Sequence, residues 1–297
     1  MSVQEFLQHM ANGISLGSLY ALIAIGYTMV YGILRLINFA HGDVFMLGTY
    51  LAFYGLTYTS IPWYIVFILV SIITGILGVI LERLAYKPLR GSPRITVLIS
   101  AIGASFLLQN LGVLLFGGRP KAFPTPEVFN RVINIGEVSV ALVNFIIPIV
   151  TVILLVVLNF FIQKTRTGMA MRALSKDYEA ASLMGIDINN TISITFFIGS
   201  FLAAVGGIMW GIKYPQLMPH MGVLPGLKCF IAAVIGGIGS ISGAVLGGFI
   251  LGLGEILLIA FLPSLTGYRD AFAFILLIII LLVKPTGLMG EKIAEKV

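Results

Sequence analysis

The sequence breaks into repeated apolar runs, most of them close to the roughly 20 residues that an α-helix needs to cross a hydrocarbon core. They lie near 11–34, 43–58, 61–83, 95–116, 141–163, 191–213, 223–239, 242–262 and 269–284. Charged residues make up only 10% of the chain and hydrophobic ones 59%, with a mean hydropathy of +1.06. A soluble domain carries roughly a quarter charged residues to cover its surface, so this composition suits lipid and excludes a soluble monomer. Lipid offers backbone groups no hydrogen bonds. The expected fold is therefore all-α, a polytopic transmembrane helical bundle of about eight or nine spans forming one domain over residues 1–297. The runs 43–58 and 223–239 are short, and the second carries Gly226, Gly236, Gly237 and Gly239. Each of the two reads equally as a full span or as a re-entrant element.

The formal charge of +6 sits in the connections between these runs, so its first meaning is orientation and not nucleic-acid binding. Connection 82–94 holds Arg83, Lys87, Arg90 and Arg94, and connection 163–191 holds Lys164, Arg166, Arg172 and Lys176. Placing both in the cytoplasm also places Arg35, Lys284, Lys292 and Lys296 inside, twelve basic residues against six outside (Arg119, Lys121, Arg131, Lys213, Lys228 and Arg269). The N-terminus is then expected outside and the C-terminus in the cytoplasm. The first ten residues contain no Lys or Arg, so the first span is expected to act as its own uncleaved insertion signal. Segment 117–140 becomes an external loop, periplasmic if the membrane is a bacterial inner one, in which Pro120, Pro124 and Pro126 oppose a helix and Val132, Ile133, Ile135 and Val138 suit a short hairpin.

A weak internal repeat is visible. Gly17-Ser18-Leu19 in the first span is followed by His41-Gly42 and a short apolar segment, and Gly199-Ser200-Phe201 in the sixth by His220-Met221-Gly222 and another. The two copies run in opposite senses across the membrane, as in the inverted repeats of many transporters.

Three places carry candidate chemistry. Between Ala170 and Met184 no Gly or Pro interrupts, so an amphipathic helix is expected there, with Met171, Leu174, Tyr178 and Ala181 on one stripe and Gly185 as its stop. The bland alternative is a membrane-surface helix with a solvated charged face. Asn38-Phe39-Ala40-His41-Gly42-Asp43 reads either as a polar break lining a path, with Asn38, His41 and Asp43, or as a turn in which Asp43 caps the next helix. Glu255, inside the run 242–262, is costly in lipid; it belongs either to a proton relay or to a hydrogen bond with a neighbouring helix. The glycines of that run (Gly243, Gly247, Gly248, Gly252 and Gly254) predict close helix packing.

The inner connection also resembles a known element. Glu179-Ala180-Ala181 followed by Gly185 matches the Glu-Ala-Ala-x-x-x-Gly core of permease loops in ATP-binding-cassette (ABC) importers. The wider pattern Gly168, Ala170, Arg172, Ala173, Asp177, Ala181, Gly185, Ile186 is similar to the inner loop of branched-chain amino acid permeases of the LivH type, as is the stretch Leu34 to Gly48. The downstream Leu-Pro of the general ABC motif is absent, which fits the branched-chain group better than the maltose or molybdate groups. The resemblance covers nearly the whole chain. It implies an importer in the bacterial inner membrane with two related permeases in a heterodimer, two ATP-binding subunits and a periplasmic substrate-binding protein. It also implies an ATPase-coupling role for Arg172, Asp177, Glu179, Ala180, Ala181 and Gly185. Urea and short-chain amide permeases look similar throughout and form the alternative, and an ion-coupled secondary transporter centred on Glu255 is the rival from another class.

No phosphate-binding loop is present, so any ATP hydrolysis belongs to another chain. No hydrolase motif occurs, and the single cysteine, Cys229, leaves no cysteine pair for a disulfide or a metal. The sequence calls for no enzyme activity and no cofactor.

Overall fold

The computed structural model describes residues 2–135 and 138–290. Lys292 and Lys296, counted above as inside charges, lie outside the described residues. The chain is a helical bundle: α1 (Val3–Leu34), α2 (His41–Tyr58), α3 (Trp63–Leu81), α4 (Arg94–Phe116), α5 (Val143–Lys164), α6 (Arg166–Lys176), α7 (Tyr178–Leu183), α8 (Ile188–Lys213), α9 (Val223–Gly236), α10 (Ile241–Phe261) and α11 (Arg269–Val283). All nine apolar runs are helices. Among the described residues, seven helical segments are long and apolar enough to cross a membrane: α1, α3 with its continuation to Leu89, α4, α5, α8, α10, and α11 with the turn before it. The exceptions are the two runs that were already short, α2 with 18 residues and α9 with 14.

The inverted repeat is written in the packing. Helix α3 packs on α8 as α10 packs on α1; α2 touches α8 as α9 touches α1; and α4 flanks α2 as α11 flanks α9. Exchanging α1–α4 with α8–α11 therefore maps one set of neighbours onto the other, with α5 to α7 as the connector. Helices α1 and α8 are antiparallel: Gly26 meets Gly199, while Lys213 at the end of α8 reaches Asn12 and Ser15 near the start of α1.

Helix α1 forms the centre, nearly all of it buried from Leu16 to Val30. Helices α4, α5 and α11 turn apolar side chains outward, among them Leu114, Phe160 and Leu282, the reverse of a soluble core and the arrangement lipid requires. The α10 glycines serve two seams. Gly243 and Gly247 lie against Gly236 and Ala232 of α9, and Gly248 and Gly252 against Ala21 and Gly17 of α1, where a Cβ would strike backbone. Such small-residue seams let helices approach closely where no hydrophobic effect drives them together.

The segment 117–141 holds a short 3-10 helix (Glu127–Asn130) and the expected hairpin made by β2 (Val132–Ile135) and β3 (Val138–Ala141). The short strands β1 (Lys121–Ala122) and β4 (Gln216–Leu217) pair, tying this segment to the connection between α8 and α9.

A cavity between two broken helices and an exposed loop tip

Helix α1 ends at Arg35, which takes a left-handed conformation with φ 52°. The chain then folds back along α1 instead of leaving the bundle. The His41 ring sits against Gly26, filling the place of the side chain that glycine lacks, and packs edge-on to Tyr27 at 4.5 Å. Gly26 lies eight residues before the end of α1, about 12 Å along the axis. So α2 begins within the helix layer. Asn38, 2% exposed, accepts a 2.8 Å hydrogen bond from the Tyr86 hydroxyl and pins the returning segment.

Helix α9 begins at the same place. Gly222 and Gly226 meet Gly42 backbone to backbone, and a Cβ on Gly42 or Gly222 would overlap the other's carbonyl oxygen. The starts of α2 and α9 thus abut, one from each repeat, as in the broken helices that line transporter paths.

Beside this junction lies a cavity of about 240 Å³. Tyr27, Asp43, Ser105 and Gln109 supply its polar groups, and Phe39, Ile102, Phe106, Leu227 and Phe230 much of its apolar wall. A second cavity of about 460 Å³ is lined by His220, Met221, Leu224 and Pro225 around the start of α9 together with Met218 and Pro219. Of the four residues expected on a path, only Asp43 lines the first cavity; Asn38 and His41 hold the break in place from behind. Asp43 does not cap α2, whose start has no side-chain cap. Its carboxylate instead accepts from Ser105 on α4, which in turn accepts from Gln109 at 3.0 Å. Ser105 and Gln109, four residues apart on one face of an apolar span, were a legible signal that the sequence reading passed over.

Glu255 is elsewhere. It is fully buried, with Lys228 at 2.9 Å, Arg269 at 2.7 Å and the Tyr20 hydroxyl at 3.1 Å, and Lys228 also reaches Asp270 at 2.6 Å. The group joins α1, α9, α10 and α11, so the expected bond to a neighbouring helix is a network of ion pairs. Lys228, counted among the outside charges, is a buried member of α9.

The expected helix 170–184 is in fact two. Asp177 interrupts it with extended backbone, and its side chain caps α7 by accepting from the amides of Glu179 and Ala180, each at 3.0 Å. An aspartate that can bond its own following amides competes with the helix, and here it wins. Met171, Leu174 and Ala181 of the apolar stripe are buried against the chain itself, whereas Tyr178 is exposed. What projects outward is the far side of α7: Glu179, Leu183 at 89% exposure and Met184 at 82%. Arg172 bonds the Gln163 carbonyl at 3.4 Å. Gly185 takes φ 79°, and the Ile186 amide closes back on the Ala181 carbonyl at 3.2 Å. This is the glycine-terminated helix end that the sequence predicted.

Residues 9–281 match the family described as "Branched-chain amino acid transport system / permease component". The chain belongs to this family. Among relatives of this permease family, the high-affinity branched-chain amino acid transport system permease protein BraD of Pseudomonas aeruginosa is 44% identical over 99% of both chains. The corresponding LivH protein of Escherichia coli K12 is 46% identical over 98% of both. A probable branched-chain amino acid transport permease, LivH, of Methanocaldococcus jannaschii is 28% identical, over 92% of this chain and 89% of its own length. The resemblance to branched-chain amino acid permeases thereby holds over nearly the whole chain.

Proposed function

We propose that this permease carries branched-chain amino acids inward across the bacterial inner membrane as one half of an ABC importer. The whole chain acts as one transmembrane domain. A related permease completes the path, two ATP-binding subunits dock on the inner loop 163–191, and a periplasmic binding protein delivers substrate near the loop 117–140. The observation that carries this reading is the junction of α2 and α9, where two broken helices and a cavity interrupt an otherwise continuous apolar bundle. A membrane protein with a purely structural role has no need of such a break.

In this reading Leu183 and Met184 form the knob that enters a groove of the ATPase, with Glu179 beside it and Gly185 setting the exit of the chain. The Asp177 cap, Arg172, Ala180 and Ala181 hold α7 in place. An outside N-terminus and cytoplasmic C-terminus are supported by the basic loops. Four of the six charges counted against this orientation, Lys121, Lys213, Lys228 and Arg269, are engaged in internal contacts and are not free loop charges.

Affinity purification of the tagged permease tests the reading, followed by uptake of leucine into proteoliposomes with ATP inside. Co-purifying ATPases and leucine uptake that requires both ATP and the binding protein are expected. Uptake by the permease alone, collapsing with an uncoupler, would identify a secondary transporter instead.

A further inference from the structure

Three carboxylates are buried within the helices among the described residues, and they are not alike. Glu82 is paired with Arg90 and accepts from Ser193 at 2.8 Å. Glu255 has Lys228 and Arg269. Asp43, 2% exposed, has only neutral neighbours, the Ser105 hydroxyl and beyond it the Gln109 amide. Among the described residues no basic side chain forms an ion pair with it.

Asp43 also differs in position, because it alone of the three lines the cavity at the α2–α9 junction. A carboxylate without a counter-ion is expensive in an apolar medium. Its place in the first turn of α2 offsets part of that cost through the helix dipole, and a mobile cation entering the cavity would offset more. Beyond Tyr27, Ser105 and Gln109 the wall is largely apolar, with Phe39, Ile102, Phe106, Leu227 and Phe230, which suits a hydrocarbon side chain.

We infer that this cavity is a transit site for an apolar α-amino acid, with Asp43 accepting its ammonium group and Ile102, Phe106, Leu227 and Phe230 facing its side chain. The inference rests on the proposed function and narrows it: a zwitterion gains a counter-charge here, whereas urea, which has no cation, gains none. Because no cation among the described residues pairs with Asp43, the substrate's ammonium binds on entry and is released on exit without breaking a resident ion pair.

The test uses the complete complex in proteoliposomes, with leucine-loaded binding protein in excess. Asp43→Asn keeps shape and removes charge. Leucine turnover is expected to fall about tenfold or more, with the half-saturating concentration of loaded binding protein unchanged and partial recovery in Asp43→Glu. Wild-type turnover in Asp43→Asn would overturn the inference. Since faulty assembly would also lower uptake, a second measurement is made on the purified, assembled complex. Ile102→Cys in a Cys229→Ser background should react faster with a trimethylammonium methanethiosulfonate than with the sulfonate reagent, and Asp43→Asn should erase that preference. An equal ratio in both backgrounds would overturn the inference even if uptake fell. A wild-type complex that moves urea but no leucine would refute the proposed function itself, and the ammonium assignment with it.

Discussion

The carboxylate of Glu255 holds the Arg269 side chain at 2.7 Å from a position fully buried in α10. With Lys228 on its other oxygen, Glu255 ties α9, α10 and α11 together. Glu255→Gln leaves two cations without their shared anion, and breaking a buried pair in this way costs roughly 3–5 kcal/mol. Lower thermal stability of the detergent-solubilised protein is expected, with partial recovery on adding Lys228→Met. The pH profile of uptake by the surviving complex should match the wild type. A normally stable variant with a shifted profile would point to a proton relay.

The contact of Gly42 with Gly222 leaves no room for a methyl group. Gly222→Ala should force the starts of α2 and α9 apart, an overpacking cost of about 1–3 kcal/mol, and abolish most transport. Gly91→Ala, where nothing lies within 4 Å, should transport normally. Equal activity in the two variants would show that the junction is not part of the path.

At Gly185 the penalty is conformational, because no neighbour lies within 4 Å and φ is 79°. Gly185→Val should cost more than the 1–2 kcal/mol typical of a left-handed residue, and Gly185→Asn much less. Substrate-stimulated ATPase activity of the reconstituted complex should fall in that order while the basal rate holds. Stimulation that is normal in both would leave 163–191 as a membrane-surface element.

Leu183 and Met184 separate docking from folding. Leu183→Asp or Met184→Asp alters side chains that touch little of the chain itself, so yield should hold while co-purification of the ATPases drops. Met171→Asp, at a buried position, should instead reduce yield. If ATPase recovery is unchanged in the first two, this tip is not the docking knob.

Orientation is open to labelling. In a Cys229→Ser background, cysteine at the exposed positions Glu127 and Lys176 should react from opposite sides of the membrane, Glu127→Cys in intact cells and Lys176→Cys only after permeabilisation. Labelling of both in intact cells would reverse or break the assigned topology.

Much of the fold was already legible in the chain. Runs of apolar residues near the thickness of a bilayer dictate helices, because lipid satisfies no backbone group, and all nine runs are helical. The α10 glycines announced close packing, the prolines and β-branched residues of 117–140 a loop with a hairpin, and Gly185 a helix stop. Each of these is a local property, set by a residue and its sequence neighbours. The break at Asp177 was local as well, but its extended backbone and side-chain cap were not separable by pattern from the good helix formers around it.

What tertiary structure alone decided was which polar residues face each other. From the chain, Asn38, His41, Asp43 and Glu255 were one kind of feature, polar groups in apolar surroundings. Packing divides them into two struts behind a broken helix, a carboxylate beside a cavity and the centre of an ion network. Lys228 was counted among the outside charges, yet becomes Glu255's partner, because α9 starts within the bundle and brings that side chain to α10. The inverted repeat shows the same division. Two short motifs suggested it, but only the exchange of neighbours between α1–α4 and α8–α11 brings Gly42 against Gly222, residues 180 positions apart in the chain. The energy of a buried charge depends on what stands within a few ångströms of it, and in this protein those neighbours come from helices far apart in sequence.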